Sequence, residues 1–306
     1  MAEYSPALRW MDRWLLDPLE GATVYVLFAL LKALSIDAAS AFGGWVARAI
    51  GPRLGVSKRA RQNLARAFPE KSPAEIGALV REVWDNLGRT AAEYPHLAGL
   101  RIYPRDGREP DGRVEVRGAE HVDRALATGK PLIFFAAHQA NWEMSAMAAL
   151  QYGVPLNLVY RPANNPWVDR QFHAPRRDRS ASLIPKGADG ARQTVTLLRQ
   201  GRHLGMLLDQ KMNDGIPVPF FGRPAMTAAA PAQLALKFDC PLLPIQVERL
   251  GGVRFRVTVH PPLDIARSGD RHADILAIMT RINALFEDWI RQRPGQWLWL
   301  HNRWPD

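Results

Sequence analysis

Between residues 114 and 260, short apolar runs alternate with stretches of helical periodicity, and this alternation constrains the fold more than any other feature of the chain. The runs cover 114–117, 131–137, 155–160, 203–208, 241–247 and 253–260. Helical stretches at 119–128, 141–151, 166–175, 189–200 and 227–238 fall between them. A strand that recurs after each helix packs most simply beside its predecessor in the same direction. The pattern therefore predicts an α/β fold: a mixed, mainly parallel sheet flanked by helices. A final amphipathic helix is expected over 271–292, before the aromatic segment from Gln296 to Trp304. A hydrophobic content of 47% over 306 residues is enough for a large core, and no period of repeat-protein length recurs.

Upstream, 58–68 and 72–100 have helical periodicity, and Ser72-Pro73-Ala74-Glu75 reads as a capping box with proline at the first helical position. The stretch 101–113, rich in Pro, Gly and charge, divides an N-terminal helical, membrane-associating region (1–100) from an α/β body (101–306), which together form one continuous domain. The apolar run 21–31 is shorter than a spanning helix needs and is interrupted by Lys32. It fits an interfacial helix, with Trp10, Trp14 and Tyr25 at headgroup level and Arg9, Arg13, Lys32 and Arg48 toward anionic lipid. A buried core helix is the other reading. The net charge of +10 points to an anionic partner, whether nucleic acid, acidic headgroups or an acidic carrier protein. With Cys240 as the single cysteine there is no internal disulfide, and that residue reads as a small buried hydrophobe.

The most informative segment is Pro131-Leu-Ile-Phe-Phe-Ala-Ala-His138-Gln-Ala-Asn-Trp-Glu143. An apolar strand ends, and a histidine stands where it should emerge, at the carboxyl end where open α/β sheets bind ligands. On one continuous helix, residues five apart point in different directions, so His138 and Glu143 meet only if a turn holds the first and a new helix the second. Asn141 would cap that helix and place Glu143 in its first turn, where the helix dipole favours a carboxylate. Neutral imidazole is suited to take a proton from an alcohol, and a carboxylate on its other nitrogen fixes the tautomer. The plain alternative is a structural histidine beside a surface glutamate. The chain has no H-E-x-x-H, C-x-x-C, phosphate-loop or G-x-S-x-G pattern, and its other histidines lack ligand spacing, so no metal or prosthetic group is expected.

These residues resemble a known family. The His138-x4-Glu143 pair is similar to the H-x4-[D/E] motif of the bacterial lipid A biosynthesis acyltransferases, the late lauroyl/myristoyl transferases related to mycobacterial phosphatidylinositol mannoside acyltransferase. Four further blocks resemble theirs in order and spacing: Arg59 to Asn63 with Phe68-Pro-Glu70, Val159-Tyr-Arg161-Pro to Pro166, Leu208-Asp209-Gln210 with Val218-Pro-Phe-Phe-Gly222, and Trp297 to Pro305. The resemblance implies a glycerolipid-acyltransferase-like fold and His138 and Glu143 as the catalytic pair. It also implies acyl carrier protein or coenzyme A as carrier of the acyl group, a lipid A precursor as acceptor, and the cytoplasmic face of the inner membrane as location. Neither a cofactor nor a nucleic-acid partner is expected. Another membrane acceptor (a lysophospholipid, glycolipid or ornithine lipid) would use the same chemistry, whereas a basic module that only binds membrane or RNA would use none of it. Substrate binding is expected from Arg161, from Asp209 with Gln210, and from the basic cluster Arg176, Arg177 and Arg179. Asp209 is expected to orient Arg161 or the acceptor, and Phe220-Phe221-Gly222 to line an acyl pocket or fill the core. Acyl length depends on the depth of a pocket, which spacing does not reveal.

Overall fold

The computed structural model describes residues 16–104, 107–177, 182–265 and 267–304, with side chains for all of these but 172–177. The described chain opens on four helices: α1 (Asp17–Ala33), α2 (Ile36–Ile50), α3 (Ser57–Ala67) and α4 (Pro73–Glu93). The expected capping box starts α4: Ser72 Oγ accepts from Glu75 N, and the Glu75 carboxylate accepts from Ser72 N at 2.8 Å. The helix stops at Glu93, earlier than the periodicity suggests. Pro95 lacks an amide donor, and 94–99 tighten into 3₁₀ turns.

The body then runs β1 (Val114–Arg117), α5 (Ala119–Leu126), β2 (Ile133–Ala136), α6 (Glu143–Gln151), β3 (Leu156–Tyr160), α7 (Pro166–Arg177), β4 (Ser182–Pro185), α8 (Ala188–Arg199) and β5 (His203–Leu207). It continues with β6 (Ile216–Phe220), β7 (Arg223–Thr227), α9 (Ala230–Phe238), β8 (Leu242–Gly251), β9 (Arg254–Val259) and α10 (Arg271–Gln292). Seven strands form one sheet in the order β1-β9-β8-β2-β5-β3-β4. All neighbours are parallel except β8 and β9, an antiparallel hairpin that turns at Gly252-Val253. The mixed, mainly parallel α/β architecture is therefore present. Strand β2, with β8 and β5 on either side, is buried along its whole length, which is why its sequence is an unbroken apolar run.

Three strands escape the periodicity. β4 is a short strand at the edge of the sheet, and β6 and β7 carry Pro217, Pro219 and Pro224, which argue against a strand in a central position. The latter two form a separate two-stranded hairpin, so prolines can occupy bonding positions that no third strand claims. Its loop residues Phe221 and Gly222 have φ of 49° and 69°, the positive values that a two-residue type I′ turn needs at both positions. Thr227 still pairs with Ile216, so the expected helix at 227–238 begins only at Ala230.

The sheet separates two cores. One joins Leu64, Phe68, Val80 and Val83 of the N-terminal half to Phe135, Phe286, Trp297 and Trp299. The other packs Phe134, Met144, Met147, Ile245 and Val257 on the α6 side. Cys240 is buried as expected, and burial pushes its thiol up to about 12. The run in α1 is not a core helix: Leu19, Tyr25 and Leu30 are all more than 60% exposed. Among the described residues no helix is long and apolar enough to cross a membrane.

Candidate active site

Strands β2, β5 and β3 lie side by side and run in one direction, so the residues just past their carboxyl ends gather at one edge of the sheet. His138 follows β2, Arg161 follows β3, and Asp209 with Gln210 follow β5. The β2–β5 register pairs Ala136 with Leu207, and two residues further on it sets His138 opposite Asp209. The side chains meet there. Asp209 Oδ1 lies 2.7 Å from His138 Nδ1, while Oδ2 accepts from His138 N at 2.8 Å and from Trp297 Nε1 at 2.7 Å.

The carboxylate on the Nδ1 side is thus Asp209, and its two oxygens are occupied by the histidine and a tryptophan. The expectation that Asp209 orients Arg161 or the acceptor is corrected, because the side chain is fully buried. Burial alone would raise its pKa. The neighbouring His138, by charge and by hydrogen bonds, outweighs that and holds the carboxyl well below the usual carboxylate range. An ionised Asp209 can only accept, so Nδ1 keeps its proton and donates it, and the lone pair of His138 sits on Nε2. Gln210 Nε2 is 3.5 Å from that nitrogen.

Helix α6 begins at Glu143, with Trp142 in helical conformation just before it. Asn141 Oδ1 accepts the Glu143 N–H at 3.3 Å, but Trp142, which makes no side-chain cap, holds the N-cap position, so α6 starts one residue later than a cap at Asn141 would place it. Glu143 is buried in the first turn, and the Trp142 ring meets His138 edge-on at 5.2 Å.

The turn that carries His138 is held by the C-terminal segment. Leu298 N donates to His138 O at 3.1 Å, Ala140 N donates to Gln296 O at 2.9 Å, and Gln139 forms a β-bridge with Trp297. Asn63 braces that segment in turn, donating to Trp299 O at 2.9 Å and His301 O at 2.8 Å. Arg303 is buried over the Phe220 ring and donates to Met226 O and Thr227 Oγ1. The early and closing motif blocks are therefore supports for the turn.

A second buried network fixes the same turn from behind. Ala140 has φ of 51°, costly for a side-chain-bearing residue, and its carbonyl accepts from Asn86 Nδ2 at 3.2 Å and Thr90 Oγ1 at 3.1 Å. Asn86 and Thr90 also receive Arg249, which pairs with buried Glu93, and Glu93 accepts from Asn141 Nδ2 at 2.8 Å and Ser40 Oγ at 2.7 Å.

His138, Glu143, Arg161 and Gln210 line one cavity of about 340 Å³. Its deeper walls are apolar: Phe134, Leu156, Leu158, Leu207 and Ile245. Arg161 is exposed at the rim with Asn164 as a neighbour at 3.4 Å. Lys186 joins it there, and desolvation together with the Arg161 charge pulls its ammonium below the ordinary lysine range, although Asp209 opposes the shift. The sequence reading missed Lys186 and Trp297. The side chains of Arg176 and Arg177, on α7, and the whole of Arg179 lie outside the described residues. Phe220 and Phe221 fill the core against Trp297, Trp299, Trp304 and Phe68 and do not line this cavity, which corrects the acyl-pocket alternative. Among the described residues no cluster of His, Cys, Asp or Glu has the arrangement of a metal site.

His301 gives the site a pH signature. It is buried, its Nδ1–H donates to Leu298 O, and burial pushes its pKa down to about 4. The folded state excludes a proton that the unfolded histidine takes up near 6.5. Stability is therefore expected to fall as pH drops from about 6.5 toward 4, by roughly 3 kcal/mol in total, with smaller contributions of the same sign from His203 and His260. Urea unfolding across that range measures it. The slope should flatten in His301→Gln, and a slope unchanged there would contradict the assignment.

The geometry can be set beside known proteins. The family described as bacterial lipid A biosynthesis acyltransferase matches residues 5–306. The lipid A biosynthesis myristoyltransferase of Escherichia coli K12 is 28% identical over 257 residues, 81% of this chain and 75% of that one. The phosphatidylinositol mannoside acyltransferase of Mycobacterium tuberculosis CDC 1551 is 26% identical, over 82% and 78% of the two chains. Among solved structures, the 1-acyl-sn-glycerophosphate acyltransferase PlsC from Thermotoga maritima covers 89% of this chain and 98% of its own with a TM-score of 0.36 and 13% identity, a likeness too slight to argue from. The match along nearly the whole chain places this protein in the bacterial lipid A biosynthesis acyltransferase family.

Proposed function

We propose that the chain moves a fatty acyl group from a thioester of acyl carrier protein or coenzyme A to a hydroxyl of a lipid A precursor, with His138 as general base. The observation that carries this reading is the Asp209–His138 Nδ1 bond, which leaves the Nε2 lone pair as the base, with Gln210 beside it, on a cavity that is polar at its rim and apolar within. His138 Nε2 takes the hydroxyl proton as the oxygen attacks the thioester carbonyl. The tetrahedral intermediate then expels the thiolate as the C–S bond breaks, and the imidazolium returns the proton to sulfur. No acyl-enzyme forms, because the attacking oxygen belongs to the acceptor.

Asp209 stabilises the imidazolium. Glu143, in the first turn of α6 and on the same cavity, is the second carboxylate of the site beside Asp209. Gln210 and Arg161 are side-chain donors on the cavity lining, and in this reading they receive the oxyanion. Arg161 and Lys186 at the rim suit a phosphate of the acceptor or the carrier. The basic cluster Arg176, Arg177 and Arg179 serves the same anionic partners.

The test is transfer of labelled acyl chains from both carriers to a panel of lipid acceptors. Product on the lipid A precursor supports the reading. Product on a lysophospholipid, glycolipid or ornithine lipid alone moves the acceptor to the second reading, which the 26% identity to a phosphatidylinositol mannoside acyltransferase favours. Salt-sensitive membrane or RNA binding without any transfer would mark a non-enzymatic module.

The reaction takes place at a membrane surface, in this reading the cytoplasmic face of the inner membrane. The support is apolar exposure on two helices, with Tyr25 and Leu30 on α1 and Phe42, Trp45 and Ile50 on α2, in a chain of net charge +10. Sedimentation with anionic phospholipid vesicles should capture the wild type, and Leu30→Asp with Trp45→Asp should release most of it. Equal capture of both proteins would contradict this placement.

A further inference from the structure

Two cavities meet at one wall in the α6 core. The reaction cavity, about 340 Å³, runs inward from His138 and Arg161 to Phe134, Ser145 and Ile245. On the far side of these three residues lies a second hollow of about 20 Å³, lined by the same three and by Val122, Ala148, Ala149 and Val257 among others. Its lining is almost wholly apolar, with the half-buried Tyr103 and Tyr152 among it. Ser145 does not change that: its hydroxyl donates back to Trp142 O at 2.7 Å. Phe134 is 1% exposed and stands on β2, four residues before the base.

The floor of the larger cavity has a second constriction. Gly205 on β5 lines it, and a Cβ added there would come within 2.6 Å of Leu158 Cδ2, which lines it too. The cavity's width at that point depends on the missing side chain. Leu158 Cδ2 is the far end of a flexible side chain, so it can shift, and any shift alters the cavity that it lines.

We infer that Phe134, Ser145 and Ile245 form the wall against which the methyl end of the acyl chain stops, so that these residues and Gly205 set the chain length the protein accepts. The inference rests on the proposed acyl transfer, in which the apolar depth of the cavity receives the donor's chain. The hollow behind the wall is then reserve space: truncating the wall joins it to the cavity, and adding a methyl at Gly205 shortens the usable depth.

The experiment measures initial rates of transfer from acyl carrier protein loaded with saturated chains of graded length, using the acceptor identified by the panel above. Wild type, Ile245→Ala, Phe134→Leu and Gly205→Ala are compared. Phe134→Leu is the milder truncation and keeps the test alive if Ile245→Ala does not fold. Opening the wall should move the optimum to longer chains, and Gly205→Ala should move it to shorter ones. The ratio of rates for neighbouring chain lengths should change by about 10-fold or more, the usual discrimination for a methylene in an apolar pocket. A merely structural disturbance would lower every rate in proportion and leave the optimum where it was; that outcome in all variants overturns the inference while sparing the transfer reaction. Absence of transfer by the wild type from every donor overturns the functional reading, and this inference with it.

Discussion

Asp209→Asn is expected to lower kcat/KM for acyl transfer by about 10³–10⁴-fold while leaving the fold in place. The buried carboxylate accepts three hydrogen bonds, two of them from His138 and one from Trp297. An asparagine of nearly the same shape can keep some of these, but its amide can also donate to Nδ1. That would put the ring proton on Nε2, the atom that has to receive the acceptor's proton. The loss should appear mainly in kcat, since the side chain is fully buried and out of reach of substrate. Circular dichroism and the thermal midpoint separate this from unfolding. A folded Asp209→Asn protein within a few-fold of wild-type activity would show that the Nδ1 carboxylate does not set the tautomer.

The largest effect on stability is expected at Arg249. Its guanidinium pairs with Glu93, donates to Asn86 Oδ1 at 2.9 Å and Thr90 Oγ1 at 3.2 Å, and packs over Phe255. Arg249→Met keeps much of the apolar contact but leaves the Glu93 carboxylate buried without its cation. Removing one member of such a pair costs about 3–5 kcal/mol, read as a drop in the urea midpoint at constant slope. The double variant Glu93→Gln, Arg249→Met should recover part of that loss, because no uncompensated charge remains. If the single and double variants were equally unstable, packing rather than charge would be the main contribution of Arg249. Activity should fall along with stability in the single variant, since Asn86, Thr90 and Glu93 together hold Ala140 and Asn141 beside His138.

The strands that carry chemistry were legible in the sequence because they are buried, parallel and uninterrupted by proline. His138 could be placed at a strand end for that reason, and Glu143 at a helix start because Asn141 precedes it at cap spacing. The partner of His138 was harder. Asp209 is far away in sequence, and only the register of β2 against β5 brings it opposite. A signal was available: each residue follows the last apolar position of its run by a similar interval, so aligning two adjacent parallel strands at their carboxyl ends would have suggested the pair.

The hairpin β6–β7 was hidden by Pro217, Pro219 and Pro224, whose usual meaning is reversed in an isolated two-stranded ribbon. The role of the closing aromatic segment was hidden too. Nothing local in Trp297 to Arg303 says that its backbone bonds to the turn at 138–140, because that contact exists only after the chain has closed on itself. Exposure of the α1 run was likewise undecidable from composition, since an interfacial and a core helix can share one sequence pattern.

The most direct measurement is the rate of acyl transfer from labelled acyl carrier protein to a lipid A precursor by wild type and by His138→Ala, at matched folded concentration. The account predicts transfer by the wild type and a loss of about 10²-fold or more in the variant, with no acyl group retained on either protein. Transfer at near wild-type rate by His138→Ala, or a covalent acyl-enzyme trapped in the wild type, would contradict it.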